Sequence, residues 1–141
     1  SGVGLFGILL ADRVKNVVMI EEVKASIRLA EYNIRHHDLN SVSLVHGRVE
    51  DLLPALLDKS QATNQVAMID PPRGGLAKSA VDTLNQAQGL SSLIYLSCHP
   101  ETLTRDLLAL TAEKWRIESV MPFDFFPKTK HIETLVVLKP R

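Results

Sequence analysis

Residues 65–103 read QVAMIDPPRGGLAKSAVDTLNQAQGLSSLIYLSCHPETL. The segment opens on the apolar run QVAMID, which ends in an acid at Asp70. AKSAVDTLNQAQG then shows helical spacing and is expected to stop at Gly89. SLIYLSC is a second apolar run, and Pro100 begins a further helical stretch, PETLTRDLLALTAE. Proline suits the first turn of a helix, where its missing N–H would have had no partner anyway. Strand, helix, strand and helix in this order imply parallel strands joined by helical crossovers, hence an α/β fold.

The same alternation extends outward. Upstream, LFGILLADRV reads as a short helix, NVVMIE as a buried strand and EVKASIRLAEYNIRHH as a helix with Val23, Ile27, Ala30 and Ile34 on its apolar face. VSLVHG alternates like a strand, and VEDLLPALLDK is a helix that Pro54 should kink or restart. Downstream, WRIESVMPF and IETLVVLKP read as two strands paired with each other. In such sheets ligands gather outside the carboxyl ends of the strands. Gly2 to Gly7, Glu21, Asp70 and Cys98 all fall there and are expected to line one crevice.

Composition narrows the field. The chain has 141 residues, 16 basic and 16 acidic, so nothing global draws it to nucleic acid. Any grip on RNA must come from a local patch or from another part of the protein. Its single cysteine excludes an internal disulfide framework and suits a reducing, cytoplasmic setting. No apolar run has the length of a membrane span. His36, His37 and His46 have no cysteine cluster at metal spacing, so no metal is expected.

GVGLFG spells G-x-G-x-x-G at Gly2, Gly4 and Gly7. Such a loop lets backbone approach a ligand closely and leads into a helix N-terminus. Glu21 ends the next strand, where an acid can bind ribose hydroxyls. The motif fits either a nicotinamide dinucleotide or S-adenosylmethionine. It normally follows a strand, and none precedes Ser1. The chain therefore reads as cut at its N-terminus, with the first, central strand missing. It should be one catalytic domain over residues 1–141, with a gap between the strands at Val17–Glu21 and Val66–Asp70.

In DPPRGG, two prolines hold the backbone extended beside Asp70, Arg73 offers a planar fork, and two glycines let the chain turn away. Such a loop suits a flat polar ring. A lone cysteine is ordinarily a small buried hydrophobe. Cys98, however, stands at the edge of a helix N-terminus, which favours a thiolate. Glu133 opens an apolar strand after the aromatic stretch PFDFFPKTKH. One cysteine, one carboxylate, a methyl donor and a base pocket fit one chemistry. Carbon 5 of uracil is a poor nucleophile until a thiolate adds at carbon 6, and a base must later remove the carbon-5 proton.

DPPRGGL, YLSCHPETLTRDL and FDFFPKTKHIETL resemble, in order, the signature segments of the RNA uracil-5-methyltransferases, and GVGLFG and IEEVKASIRLAEYN extend the resemblance over the whole chain. It implies a Rossmann-like class I S-adenosylmethionine-dependent methyltransferase sheet, mostly parallel with an antiparallel C-terminal strand. It implies 5-methyluridine formation in transfer or ribosomal RNA, with Cys98 as nucleophile and Glu133 as base. Asp70, Pro71 and Arg73 would hold the substrate base; Gly2, Gly4, Glu21 and Asp70 would hold S-adenosylmethionine.

His99, Lys128 and Arg48 depart from the family's usual residues at their positions. Family members also carry upstream RNA-binding parts. His131 would share a strand face with Glu133 and either orient it or cap the loop. The rival readings are an NAD-dependent oxidoreductase domain and a degenerate, non-catalytic RNA-binding or assembly module.

Overall fold

The computed structural model describes residues 1–59, 62, 64–129 and 131–141. They form two compact units, Ser1–Leu52 and Leu53–Arg141.

The first unit contains α1 (Leu5–Leu10), β1 (Val17–Glu21), α2 (Lys24–His36) and β2 (Val42–His46). β1 and β2 pair in parallel, from Val17 opposite Val42 to Glu21 opposite His46. Ala11, Met19, Ala30 and Val42 make the small core, with Ile34, Leu39 and Leu44 against it. Val23 does not lie on the apolar face of α2 as its spacing suggested. It is the exposed N-cap, in extended conformation, and the helix starts only at Lys24.

α3 (Val49–Lys59) runs unbroken through Pro54. The helix does not restart at the proline. Proline removes one intrahelical hydrogen bond, and Leu53 and Leu57 hold the helix by packing onto the core of the second unit.

That unit holds β3 (Gln65–Ile69), α4 (Lys78–Gln86), β4 (Leu90–Ser97), α5 (Pro100–Glu113), β5 (Trp115–Phe123) and β6 (Glu133–Pro140). The strand order is β3-β4-β6-β5, separate from the β1-β2 pair. β3 and β4 are parallel, and β6 runs antiparallel to both β4 and β5. The expected break between Val17–Glu21 and Val66–Asp70 is thus a division into two sheets. α4 ends before Gly89, which instead takes a left-handed φ of 83° in the turn into β4.

Alternation sorts the strand residues. Leu93 and Tyr95 of β4 pair with Leu138 and Val136 of β6, and all four have no exposed surface. With Leu84, Leu103, Leu110 and Trp115 they form the main core. Each such side chain contributes on the order of 1.5–3 kcal/mol on leaving water. The opposite face of the same strands carries Ile94, Leu96, Leu135 and Val137, all half-buried.

Candidate active site

In the first unit the three glycines have different tasks. Gly7 sits where α1 crosses β1: a Cβ there would stand 2.3 Å from Met19 Sδ. Gly4 caps α1 with a φ of 88°. Gly2 has a φ of 58°, and a Cβ on it would meet nothing within 4 Å. Only Gly2 combines left-handed backbone with open space, the condition for close approach of a ligand to the main chain. Asn33 of α2 donates from Nδ2 to the Val3 carbonyl at 3.1 Å and fixes the loop from behind.

Glu21 closes this loop. Its Oε2 accepts from the Gly2 N–H at 2.7 Å and from the Ser1 amino group at 2.9 Å. Its Oε1 accepts from the N–H groups of Glu22 at 3.0 Å and Val23 at 2.9 Å. Burial alone would raise its pKa, but hydrogen bonds from the Val23 N–H, the Ser1 nitrogen and the Gly2 N–H outweigh that and hold it at about 2. The carboxylate is ionised and faces the loop, with two donors already on each oxygen.

In the second unit, β3, β4 and β6 bring three candidates to one end of the sheet. Asp70 directly follows β3, Cys98 directly follows β4, and Glu133 is the first residue of β6. Ser97 pairs with Thr134, so Cys98 and Glu133 are the next residues outward on neighbouring strands. Ile69, which pairs with Tyr95, packs on the core face. Within β6, alternation sets Glu133 on the face opposite the buried Val136 and Leu138. Partial loss of water raises the Asp70 carboxyl above its ordinary pKa. Cys98 is half-exposed and free. Pro71 and Arg73 continue the chain beyond Asp70; Arg73 is solvent-exposed.

Two features here were not legible in the sequence. Ser97 is 5% exposed and spans the turn carrying Cys98. Its hydroxyl accepts from the His99 N–H at 3.1 Å and donates to the His99 carbonyl at 3.2 Å. A serine ending an apolar strand before a proline-initiated helix is the only hint of such a turn. The His99 ring lies with Nδ1 3.0 Å from Glu101 Oε2, a local pairing within the first turn of α5.

His131 belongs to the loop. Its ring stands edge-on to Phe126, and its N–H donates to Thr129 Oγ1 at 3.2 Å. Lys130, in the same stretch, lies outside the described residues. Among the described residues no three His, Cys, Asp or Glu side chains are grouped to hold a metal ion, and no helix is long and apolar enough to cross a membrane.

The family model for tRNA (uracil-5-)-methyltransferase matches residues 1–141. The chain belongs to this family. An uncharacterized RNA methyltransferase of Protochlamydia amoebophila is 40% identical over 138 residues, covering 98% of this chain and 31% of that protein. One from Enterococcus faecalis is 35% identical over 137 residues, covering 97% and 30%. The chain thus spans about three-tenths of the length of these relatives. Among solved structures, Streptococcus pneumoniae Sp1610, assigned as a tRNA (m1A22) methyltransferase and holding S-adenosylmethionine, aligns with a TM-score of 0.77. The alignment covers 98% of this chain and 62% of that one at 17% identity, and it establishes the Rossmann-like methyltransferase fold. The methyl donor expected from the sequence is the one bound in that neighbour. Neither rival reading, the NAD-dependent oxidoreductase or the degenerate module, finds support in these likenesses.

Proposed function

We propose that this chain carries the catalytic centre that methylates carbon 5 of a uridine in transfer or ribosomal RNA. The observation that supports it most is the Ser97–Thr134 pair, which leaves Cys98 just past the end of β4 at the sheet end where Glu133 begins β6. A nucleophile and a base at neighbouring strand ends suit a reaction on two adjacent ring carbons. Membership of the tRNA (uracil-5-)-methyltransferase family supports the same substrate.

S-adenosylmethionine, when bound, supplies an electrophilic methyl group. The residues present fit it: Gly2 offers open backbone and Glu21 an ionised carboxylate at the end of β1. With Gly4 shaping the turn, they would hold the donor. Asp70, Pro71 and Arg73 would keep the flipped-out base in place.

The rest is done by two side chains. The Cys98 thiolate adds to carbon 6 of the uracil, and the electron pair of the C5=C6 bond moves toward carbon 5, which becomes nucleophilic. Once carbon 5 carries its methyl group, Glu133 takes the proton from that carbon. The double bond re-forms, the carbon–sulfur bond breaks, and Cys98 leaves as thiolate.

The test is product analysis. The active protein that carries this chain is incubated with RNA transcripts and methyl-labelled S-adenosylmethionine, and the RNA is digested to nucleosides. Label in 5-methyluridine is expected. Label confined to another nucleoside would overturn the reading.

A further inference from the structure

Asp106, on α5, is a carboxylate only 2% exposed that none of the steps above uses. A buried charge is strongly unfavourable unless it is paired and hydrogen-bonded on all sides. Here it is. Its Oδ2 accepts from the Tyr95 hydroxyl at 2.6 Å and from the Leu76 N–H at 2.7 Å. Its Oδ1 accepts from Arg105 Nε at 2.9 Å and Nη2 at 2.7 Å. Arg105 Nη2 also donates to the Gly74 carbonyl at 2.9 Å, and Thr102 Oγ1 donates to the Arg73 carbonyl at 3.1 Å.

One face of α5 therefore grips the main chain of Arg73, Gly74 and Leu76. Gly75 shows how closely. Its φ is 76°, and a Cβ would stand 2.5 Å from both Arg105 Nη2 and Asp106 Oδ2. The segment gripped is the one that follows Asp70 and Pro71. The helix that grips it begins two residues after Cys98, and Tyr95 lies three residues before that cysteine on β4.

We propose that Asp106 is a positioning residue that, with Arg105, moors the loop at 70–76 to the strand and helix flanking Cys98. The loop that holds the substrate ring and the thiol that attacks it then keep one geometry. Asp106 acts through Leu76, Arg105 and Tyr95. The proposal rests on the roles assigned to Asp70, Arg73 and Cys98 under the proposed function.

The test uses two substitutions in the active protein. Asp106→Asn keeps the volume but turns one acceptor into a donor facing other donors. Arg105→Lys keeps the charge but removes the fork, and the Arg105 side chain is 57% exposed. Both should speed hydrogen exchange of the Leu76 amide at least tenfold while the β4 amides stay protected. Both should lower kcat per folded molecule about tenfold, with the KM for S-adenosylmethionine within twofold of the parent.

A purely structural role would lower activity only in step with the folded fraction. Faster Leu76 exchange with unchanged kcat per folded molecule would overturn the proposal. If Asp106→Asn does not fold, Arg105→Lys decides alone. If the parent protein makes no 5-methyluridine, the proposed function fails instead. Leu76 exchange and the alkylation rate of Cys98 then still decide the mooring, and no change in either would overturn it.

Discussion

Ser97 and Thr134 form the last pair of the β4–β6 ladder; Cys98, the proposed nucleophile, directly follows β4, and Glu133, the proposed base, begins β6. This juxtaposition makes the two roles separable by mutation. Cys98→Ala should abolish both methylation and any covalent RNA–protein species. Glu133→Gln keeps the shape but cannot accept the carbon-5 proton, so a methylated adduct should accumulate, visible as a slow band on a denaturing gel. Normal turnover by Cys98→Ala would remove the nucleophile assignment.

Ser97→Ala should separate turn geometry from thiol chemistry. It deprives the His99 N–H of its acceptor in a site that is 5% exposed at Ser97. The His99 N–H is only half-buried, so the loss is that of one hydrogen bond, about 0.5–1.5 kcal/mol. A drop of that size in denaturant stability is expected, together with an altered rate of Cys98 alkylation by iodoacetamide. Unchanged stability and unchanged alkylation would show that the hydroxyl does not hold the turn.

These contacts mark the limit of what the sequence discloses. The alternation of strands and helices is plain because each strand is a short apolar run and each helix has its own period. The pairing of β5 with β6 follows from their adjacency in the chain. The insertion of β6 between β4 and β5 does not, and it is this insertion that starts β6 at the sheet end where Cys98 follows β4. The residue types of the site are legible, but the register that joins them is tertiary. Asp106 is hidden for the same reason. On a helical wheel it is an ordinary acid, and only the approach of Tyr95 and the loop at 73–76 makes it a buried hub. The span at 5–14 reads as one helix, yet α1 stops at Leu10, where the Arg13 N–H turns back to the Leu10 carbonyl at 2.9 Å.

The glycines of the loop make a paired prediction. Gly7→Ala would press a methyl group within 2.3 Å of Met19 Sδ, and Met19 is 4% exposed. Overpacking of this kind costs about 1–3 kcal/mol. Gly2→Ala meets no neighbour within 4 Å and bears only the left-handed penalty of about 1–2 kcal/mol. The proposed cofactor role separates the two further. Gly2→Ala should weaken S-adenosylmethionine binding, measured by calorimetry, more than its loss of stability accounts for. Equal cofactor affinity in Gly2→Ala and the parent protein would take Gly2 out of the site.

Glu21 ties the loop to β1 and sets an acid limit on its integrity. Its folded-state pKa of about 2 lies below the ordinary value of 4.5, because hydrogen bonds from the Val23 N–H, the Ser1 nitrogen and the Gly2 N–H outweigh the opposing effect of burial. A carboxylate with a depressed folded pKa stabilises the native state fully above its unfolded pKa. That contribution fades as pH falls from about 4.5 toward 2. Between these values the folded state resists protonation and the unfolded state does not, so unfolding takes up a proton. Glu21→Gln has no proton to take up at this position. Its unfolding midpoint in urea should therefore lie below that of the parent at pH 6 and fall less steeply through the acid window, so that the two curves draw together near pH 2. Parallel curves across the whole range would show that the carboxylate is not held by the loop's N–H groups.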